Sequence, residues 1–438
     1  MILFIGKILR KNSGRLIVQN TKGFGITNGS LIKTKKFDLT DSIAVKALIV
    51  SLFLPYPVTF ATAAVLFVII MFNKRARSLM CGPKYTVLLA VFGVLGLSVA
   101  AFYGNWLGFV ALIGMLLIMI LGQYLQAVMT KEIFDGAVDI ICSLAPLAAV
   151  SAAVEFVVRH YFCGNQGEDI VYEFRCSGFY FNPNYLGTFA AIVATVCIYR
   201  FIVDRERRKK YVFSGICCLV CIFLSGSMFA CVELAVAAIA MIIICRKWKY
   251  LSILMCCLLA ASAAIYVVPA LVPRLDEALG TFMNRVNVWK VSIAAFKETP
   301  WFGRGLLTYN HVYESFRDIL PGVDVWPTQH AHNIMLDSLL NFGIIGAAVM
   351  WAYFANVGRD TLKALKSRHF PIESALIAGV VIGAAAHGII DITLLWVQPG
   401  ILFMFILSAG GFICRDGSCQ DSAVSSETDE EQQPRTVR

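Results

Sequence analysis

The four residues HAHN at 330–333 put two imidazoles and a carboxamide directly ahead of an apolar run that contains Gly343-Ile-Ile-Gly346. Imidazole titrates near neutrality, at about pH 6.5, so His332 suits the removal of a proton from a hydroxyl or, once protonated, a hydrogen bond to an anion. The residue types leave both roles open, and histidines at a membrane boundary are also simply tolerated there. His330 and Asn333 suit orienting roles beside it. A His-x-His pair can chelate zinc, but the spacing supplies no clear third donor: Asp337 falls a turn inside the next helix and His311 is unanchored. Three arginines complete the set. Arg285 opens NRVNVWKVSIAAFK (284–297), Arg304 sits on the turn of ETPWFGRGLLTY (298–309), and Arg175 opens RCSGFYFNPNYLG (175–187). Guanidinium groups suit bidentate binding of phosphate oxygens, although most Lys and Arg on a membrane surface meet lipid headgroups. Asn182 and Asn184 flank Pro183, an arrangement that also marks an ordinary helix start.

Holding these groups in place falls to a membrane bundle. Hydrophobic residues make up 58% of the chain and charged ones 15%, against about 25% charged in ordinary globular proteins. That is too little polar surface for a water-soluble domain. The apolar runs approach the roughly 20 residues a helix needs to cross the hydrocarbon core. They predict an all-α polytopic membrane protein of about twelve spans: 42–55, 58–72, 85–102, 107–121, 137–156, 185–203, 211–226, 228–245, 251–268, 333–354, 373–390 and 398–414. Short connections at PYP, YGNW, Ser227 and DITLLWVQ hold no Lys or Arg, whereas NKRARS, DRERRKK, RKWK and GRDTLKALKSRH alternate with them. Positive charge stays on the cytoplasmic side. Both termini are therefore expected in the cytoplasm, with the 157–184 and 269–332 connections outside, and the net charge of +10 reads as topology rather than nucleic-acid binding.

Residues 1–41, with eight Lys/Arg and one short apolar patch, read as a cytoplasmic basic arm rather than a cleaved leader, and 415–438 as a disordered acidic cytoplasmic tail. Val286, Trp289, Ile293 and Phe296 recur at helical spacing, which predicts an amphipathic helix on the outer surface, with Lys290 and Lys297 along it. Cys218 and Cys221 read as packing inside a span. Cys163 and Cys176 share the first external connection, where a disulfide is chemically open to them. Glu233 is a charge inside a span, expected to face the bundle interior. His387 and Asp391, four apart at the outer end of a span, are expected to share a face and a structural hydrogen bond.

Three patterns occur in order on the expected outer side: R-x-x-G-x-x-F-N-P-N-Y-L-G at 175–187, N-R-x-x-x-W…P-W-F-G-x-G at 284–305, and H-A-H-N-x9-G-x-x-G at 330–346. Together, over about residues 85–414, they resemble the O-antigen ligase and Wzy-type polysaccharide polymerase superfamily. The resemblance implies a glycan-transfer domain at 42–414 in the bacterial cytoplasmic membrane, with its active site outside. It implies an inverting glycosyltransferase that takes glycan from a polyprenyl diphosphate without metal or other cofactor. Its partners would be that donor, a glycan acceptor and the bilayer. His332 and Arg285 would then be catalytic, and Arg175, Arg304, His330, Asn333, Asn182 and Asn184 would bind substrate. Met228 stands where ligase-like sequences of this kind often carry arginine, which tilts the expectation toward a polymerase over a ligase. A flippase is the competing class, but polar residues gather at the outer surface rather than at the midplane.

Overall fold

The computed structural model describes residues 39–81, 85–162, 175–268, 278–317, 319–320, 322–324, 327–366 and 370–414. The basic arm up to residue 38, the acidic tail, and Cys163 with its proposed pairing to Cys176 lie outside the described residues. Each of the twelve expected spans falls on a helix. In chain order these are α1 (Leu39–Ser51), α2 (Tyr56–Phe72), α3 (Lys74–Met80), α4 (Thr86–Phe102), α5 (Trp106–Val128), α6 (Lys131–Val157), α7 (Pro183–Val203), α8 (Arg208–Ser225), α9 (Met228–Ile244), α10 (Trp248–Val267), α11 (Ala278–Glu298), α12 (Thr308–Val312), α13 (Ile334–Lys366), α14 (Pro371–Gly388) and α15 (Val397–Ser408). No strand occurs among the described residues.

The chain is thus an all-α polytopic membrane protein, but the count of twelve crossings is not matched helix for helix. By length and composition seven helices can cross a membrane, or up to eight if α2 and α3, bent by 100° at their junction, make one broken span. The apolar helices α4 and α9 have only 17 residues each. α3, formed from the KRARSLM stretch expected as a plain loop, was not foreseen.

Two packing devices bring the polar groups together. The first joins α14 to α9. Gly379 and Gly383 on α14 have no room for a side chain, because a Cβ there would come within 2.7 Å of the α9 carbonyl oxygens of Ala237 and Glu233. Such small-residue contacts let two helices approach backbone to backbone in a membrane. They also set the Glu233 side chain opposite His387, one turn beyond Gly383.

The second device is a break in α13 at Gly343, whose φ of 62° and ψ of −173° lie in a region open essentially to glycine alone. The Gly343-x-x-Gly346 pattern leads one to expect a neighbouring helix here. At Gly346 that neighbour is α4, through Leu95, whereas at Gly343 a loop backbone takes the place. The 299–305 segment wedges into the break: Ile344 N donates to Pro300 O at 2.8 Å, Ile345 N to Trp301 O at 3.1 Å, and Gly305 N to Asn341 O at 2.8 Å. The backbone groups freed by the kink are thereby satisfied, as they must be at membrane depth.

The surface helix α11 forms as expected, but with a different buried face. Val288, Val291 and Ala295 pack with Tyr309, Val312, Phe316, Ala331 and Leu340 into a small second core. Of the residues expected to form the apolar face, Ile293 is 44% exposed. The stripe chosen from sequence is offset because α11 packs on its own chain, while Phe282, Met283 and Ile293 stay exposed. This second core seats the turn that carries the histidines.

Candidate active site

Asp391, on the segment after α14, is the hub of the site. It is 2% exposed. Its Oδ1 lies 3.0 Å from His332 Nδ1 and accepts the Ile392 amide at 2.8 Å, while Oδ2 accepts from Asn184 Nδ2 at 2.7 Å. The Arg285 guanidinium stands 3.9 Å from Oδ2, and His330 Nε2 is 3.8 Å from Oδ1. Burial by itself would raise this carboxyl. The hydrogen bond to His332 and the charges of His332, His330 and His387 outweigh burial and hold it well below the usual carboxylate range. An ionised carboxylate only accepts hydrogen bonds, so the proton of His332 sits on Nδ1 and the lone pair on Nε2. That is the tautomer of an oriented general base.

The turn bearing His332 is held on several sides. His332 itself adopts a left-handed conformation, φ 49°, which non-glycine residues rarely take. Asn333 caps α13, its Oδ1 accepting from Met335 N at 3.1 Å and Leu336 N at 2.9 Å, and its Nδ2 donates to Ile389 O at 2.8 Å. The Ala331 amide donates to Asp337 Oδ1 at 2.9 Å. His330 Nδ1 accepts from the His332 amide at 3.3 Å. Burial lowers the pKa of His330 to about 4, with the charges of His332 and Arg285 adding to the effect and Asp391 opposing it. His330 is therefore neutral at physiological pH and suited to orienting its neighbour.

Arg175 reaches the same place from the 175–182 turn. That turn is pinned by Cys176 N to Leu224 O at 2.8 Å and by Ser177 N to Glu155 Oε2 at 2.8 Å. The Arg175 guanidinium donates to Ser225 O at 3.1 Å and to Asn184 Oδ1. Gly226, at φ 58°, leaves the room its stem needs. Arg175, Asn184, Asp391 and His332 thus form one chain of hydrogen bonds, with Arg285 beside Asp391 and over the ring of Phe229, 5.2 Å from its centroid. A cavity of about 300 Å³ lies against this chain, lined by Arg175, Asn184, Arg285, His387 and Asp391, with Met228 and Phe229 on its apolar wall. A larger apolar cavity of about 440 Å³ opens between α5, α13, α14 and α15 and reaches Asn333 and Ile389.

Residues 213–351 match the family described as O-antigen ligase. The match supports the O-antigen ligase and Wzy-type superfamily, whose members are glycosyltransferase-like enzymes. No curated protein matches the chain. The matched segment runs from α8 into α13 and carries Glu233, Arg285, Arg304 and the HAHN turn. Arg175, Asn184, His387 and Asp391 lie outside it and complete the cavity from flanking sequence. The apolar helices on either side of the matched segment support a multi-pass membrane protein.

Not every expected residue joins the cluster. Arg304 is turned away, paired with Glu298 at 2.7 Å and set over the Tyr103 ring. Asn182 caps α7 by accepting the Asn184 amide at 2.8 Å, a structural duty outside the cavity lining. His387 and Asp391 are joined by backbone alone, Asp391 N to His387 O at 3.0 Å, because each side chain takes another partner. The missing third donor beside His330 and His332 exists: Asp391 brings all three within 4.8 Å. However, Arg285 lies 3.9 Å from the same carboxylate and supplies the counter-charge a cation would have given. Asp391 escaped sequence reading as a hub because its partners come from helices far away in the chain. Its one signal was an acidic residue at the mouth of a span, in a connection without Lys or Arg.

Proposed function

We propose that the chain is an inverting, metal-independent glycosyltransferase of the outer membrane face that joins polyprenyl-diphosphate-linked oligosaccharide units into a surface polysaccharide. The observation that carries this reading is the Asp391–His332 pair beside the Arg285 and Arg175 guanidinium groups. A glycosyl diphosphate is already activated at its anomeric carbon. Transfer needs a base for the acceptor hydroxyl and positive charge for the departing lipid diphosphate. His332 Nε2 takes the acceptor proton as the acceptor oxygen bonds to the anomeric carbon, and Asp391 stabilises the imidazolium that results. The electron pair of the broken carbon–oxygen bond stays on the diphosphate, which Arg285 and Arg175 hold. The apolar cavity by Asn333 suits the polyprenyl chain.

Sidedness supports the same reading. α7 begins at the site with Asn182 and ends at Asp204, so the DRERRKK connection lies at the far end of the bundle, as does RKWK after α9. By the positive-inside rule the site end faces outward. Met228 on the apolar wall keeps the preference for a polymerase over a ligase.

The test is reconstitution in liposomes with a defined polyprenyl-diphosphate oligosaccharide as sole sugar source, beside His332→Ala. A ladder of product lengths that vanishes in the variant is expected. Product formed only when a separate acceptor is added would instead make the protein a ligase. A donor that crosses the bilayer unchanged would make it a flippase and overturn the proposal.

A further inference from the structure

A second carboxylate–imidazole pair stands at the same cavity, with His387 on its wall and Glu233 behind it, and the reaction as described leaves it unused. Glu233 Oε2 lies 2.7 Å from His387 Nδ1, and both residues are 2% exposed. The other carboxylate oxygen, Oε1, is buried with no hydrogen-bond partner among the described residues. Thr188 Oγ1 is 3.1 Å from the same Nδ1 and donates its single proton to Thr393 Oγ1 at 2.8 Å, so toward His387 it can only accept. A carboxylate this deep in an apolar span does not stay charged alone. The pair therefore holds one proton between its members, and the count has a consequence. As carboxylate with imidazolium, both ring nitrogens carry protons. As carboxylic acid with neutral imidazole, Nδ1 accepts and Nε2 carries the proton. In either form Nε2, on the ring edge opposite Glu233, is a donor.

Resting on the glycosyl-transfer reading above, we propose that Glu233 and His387 are a proton-holding pair that keeps an N–H donor on the diphosphate side of the cavity across the neutral pH range. His387 touches the leaving diphosphate. Glu233 is a positioning residue that acts through it. Once the anion binds, the imidazolium lies between two negative groups and becomes a third cationic donor beside Arg285 and Arg175. As the bond from the anomeric carbon breaks, Nε2–H strengthens its hydrogen bond to the departing oxygen, and no proton need be transferred. The charged groups around His387 are Arg285 from α11, Arg175 from the 175–182 turn and Asp391 from the segment after α14, which line the cavity, and Glu233 from α9 behind it. All but Glu233 are unchanged in the variants below.

Glu233→Gln keeps shape and hydrogen bonding but removes the charge. Without that carboxylate, burial and the Arg285 charge oppose protonation of His387, so the charge-assisted bond becomes an ordinary one except where low pH restores the proton. The probe is farnesyl diphosphate, its binding to the purified full chain measured by calorimetry at pH 5.5 and pH 8.0. The parent at each pH corrects for ionisation of the ligand. E233Q should bind about fivefold or more weakly than the parent at pH 8.0, and the deficit should shrink at pH 5.5. His387→Gln, a donor that does not titrate, should show the same deficit at both. An E233Q deficit equal at the two pH values, or absent at both, overturns the pairing. A parent that binds no farnesyl diphosphate overturns the donor-site reading itself, and this inference with it.

Discussion

Asp391→Asn is the substitution that most directly tests how the site works, because the amide keeps the shape of the carboxylate and cannot keep its bonds. Oδ1 of Asp391 accepts from Ile392 N at 2.8 Å and meets His332 Nδ1 at 3.0 Å, while Oδ2 accepts from Asn184 Nδ2 at 2.7 Å and faces Arg285. If the amide oxygen takes the Oδ1 place, its NH2 confronts the NH2 of Asn184 and the Arg285 guanidinium. Asn184 cannot simply turn over, since its own oxygen serves Arg175. If the oxygen takes the Oδ2 place, the NH2 confronts the Ile392 amide and donates to His332 Nδ1, which moves the imidazole proton to Nε2 and abolishes the base. Either orientation leaves a donor–donor clash, worth about 1–3 kcal/mol. Both lose the charge that stabilises the imidazolium. Loss of a general base typically costs about 10²–10⁴ in rate, and the comparable change in a serine protease costs about 10⁴. Donor consumption in liposomes should therefore fall at least about 100-fold in kcat, with KM changed far less and the purified protein still monodisperse in detergent. The assay belongs between pH 6 and 8. The depressed pKa of Asp391 keeps it ionised throughout that window, and its stabilising contribution is lost only as the pH falls below the ordinary carboxylate range. A D391N protein within threefold of the parent would refute the base assignment.

Other outcomes follow from the same geometry. Gly343→Ala places a Cβ within 2.3 Å of the Phe302 nitrogen and the Trp301 carbonyl carbon in a glycine-only conformation, so it should cost about 3 kcal/mol or more and lower the thermal midpoint. An unchanged midpoint would mean that the wedge is not a close-packed contact. His330 is lowered to about 4 in the fold against about 6.5 unfolded, so the folded state binds fewer protons between those values. Stability should then drop by about 2 kcal/mol from pH 7 to pH 5, and His330→Gln should flatten that slope in unfolding titrations; the same slope in both would contradict it. Addition of a strong chelator should leave donor consumption unchanged. Loss of activity restored by a divalent ion would instead assign a metal to His330, His332 and Asp391.

The sequence was most legible where the membrane dictated it. Length and apolarity located the long apolar helices but not α3, and the glycine, proline and asparagine signals located the turns at 182–184 and 330–333. Arg175, Arg285 and His332 could be chosen as chemistry because they stand in three motifs that follow one another in order between the spans. The partners could not be chosen. Asn184 meets Asp391 from 207 residues away and Glu233 meets His387 from 154 away. Those separations are set by which helices pack, and the packing rests on Gly379 and Gly383, residues that carry no chemistry. Arg304 showed the opposite failure. It has the right type, hand and neighbourhood, but Glu298 lies six residues away and takes the charge locally. Periodicity gave the existence of α11 but not its inward face, since it does not distinguish lipid from a neighbouring protein surface.

The break at Gly343 divides the protein along a line that is not the membrane surface. The N-terminal end of α13, with His332 just ahead of it, is fastened to the loop that continues α11, so His332 and Arg285 ride on one piece. Asp391, Asn184 and Arg175 are carried by the bundle. The candidate site is therefore assembled from two parts that meet at Asp391, at the Asn333–Ile389 hydrogen bond and where Arg285 lies over Phe229. Any movement of that piece away from the bundle would separate His332 from its carboxylate and Arg285 from its counter-charge in one step. For the proposed transfer from a bulky lipid-linked donor, that joint would act as a clutch, with turnover permitted only when the two parts are engaged.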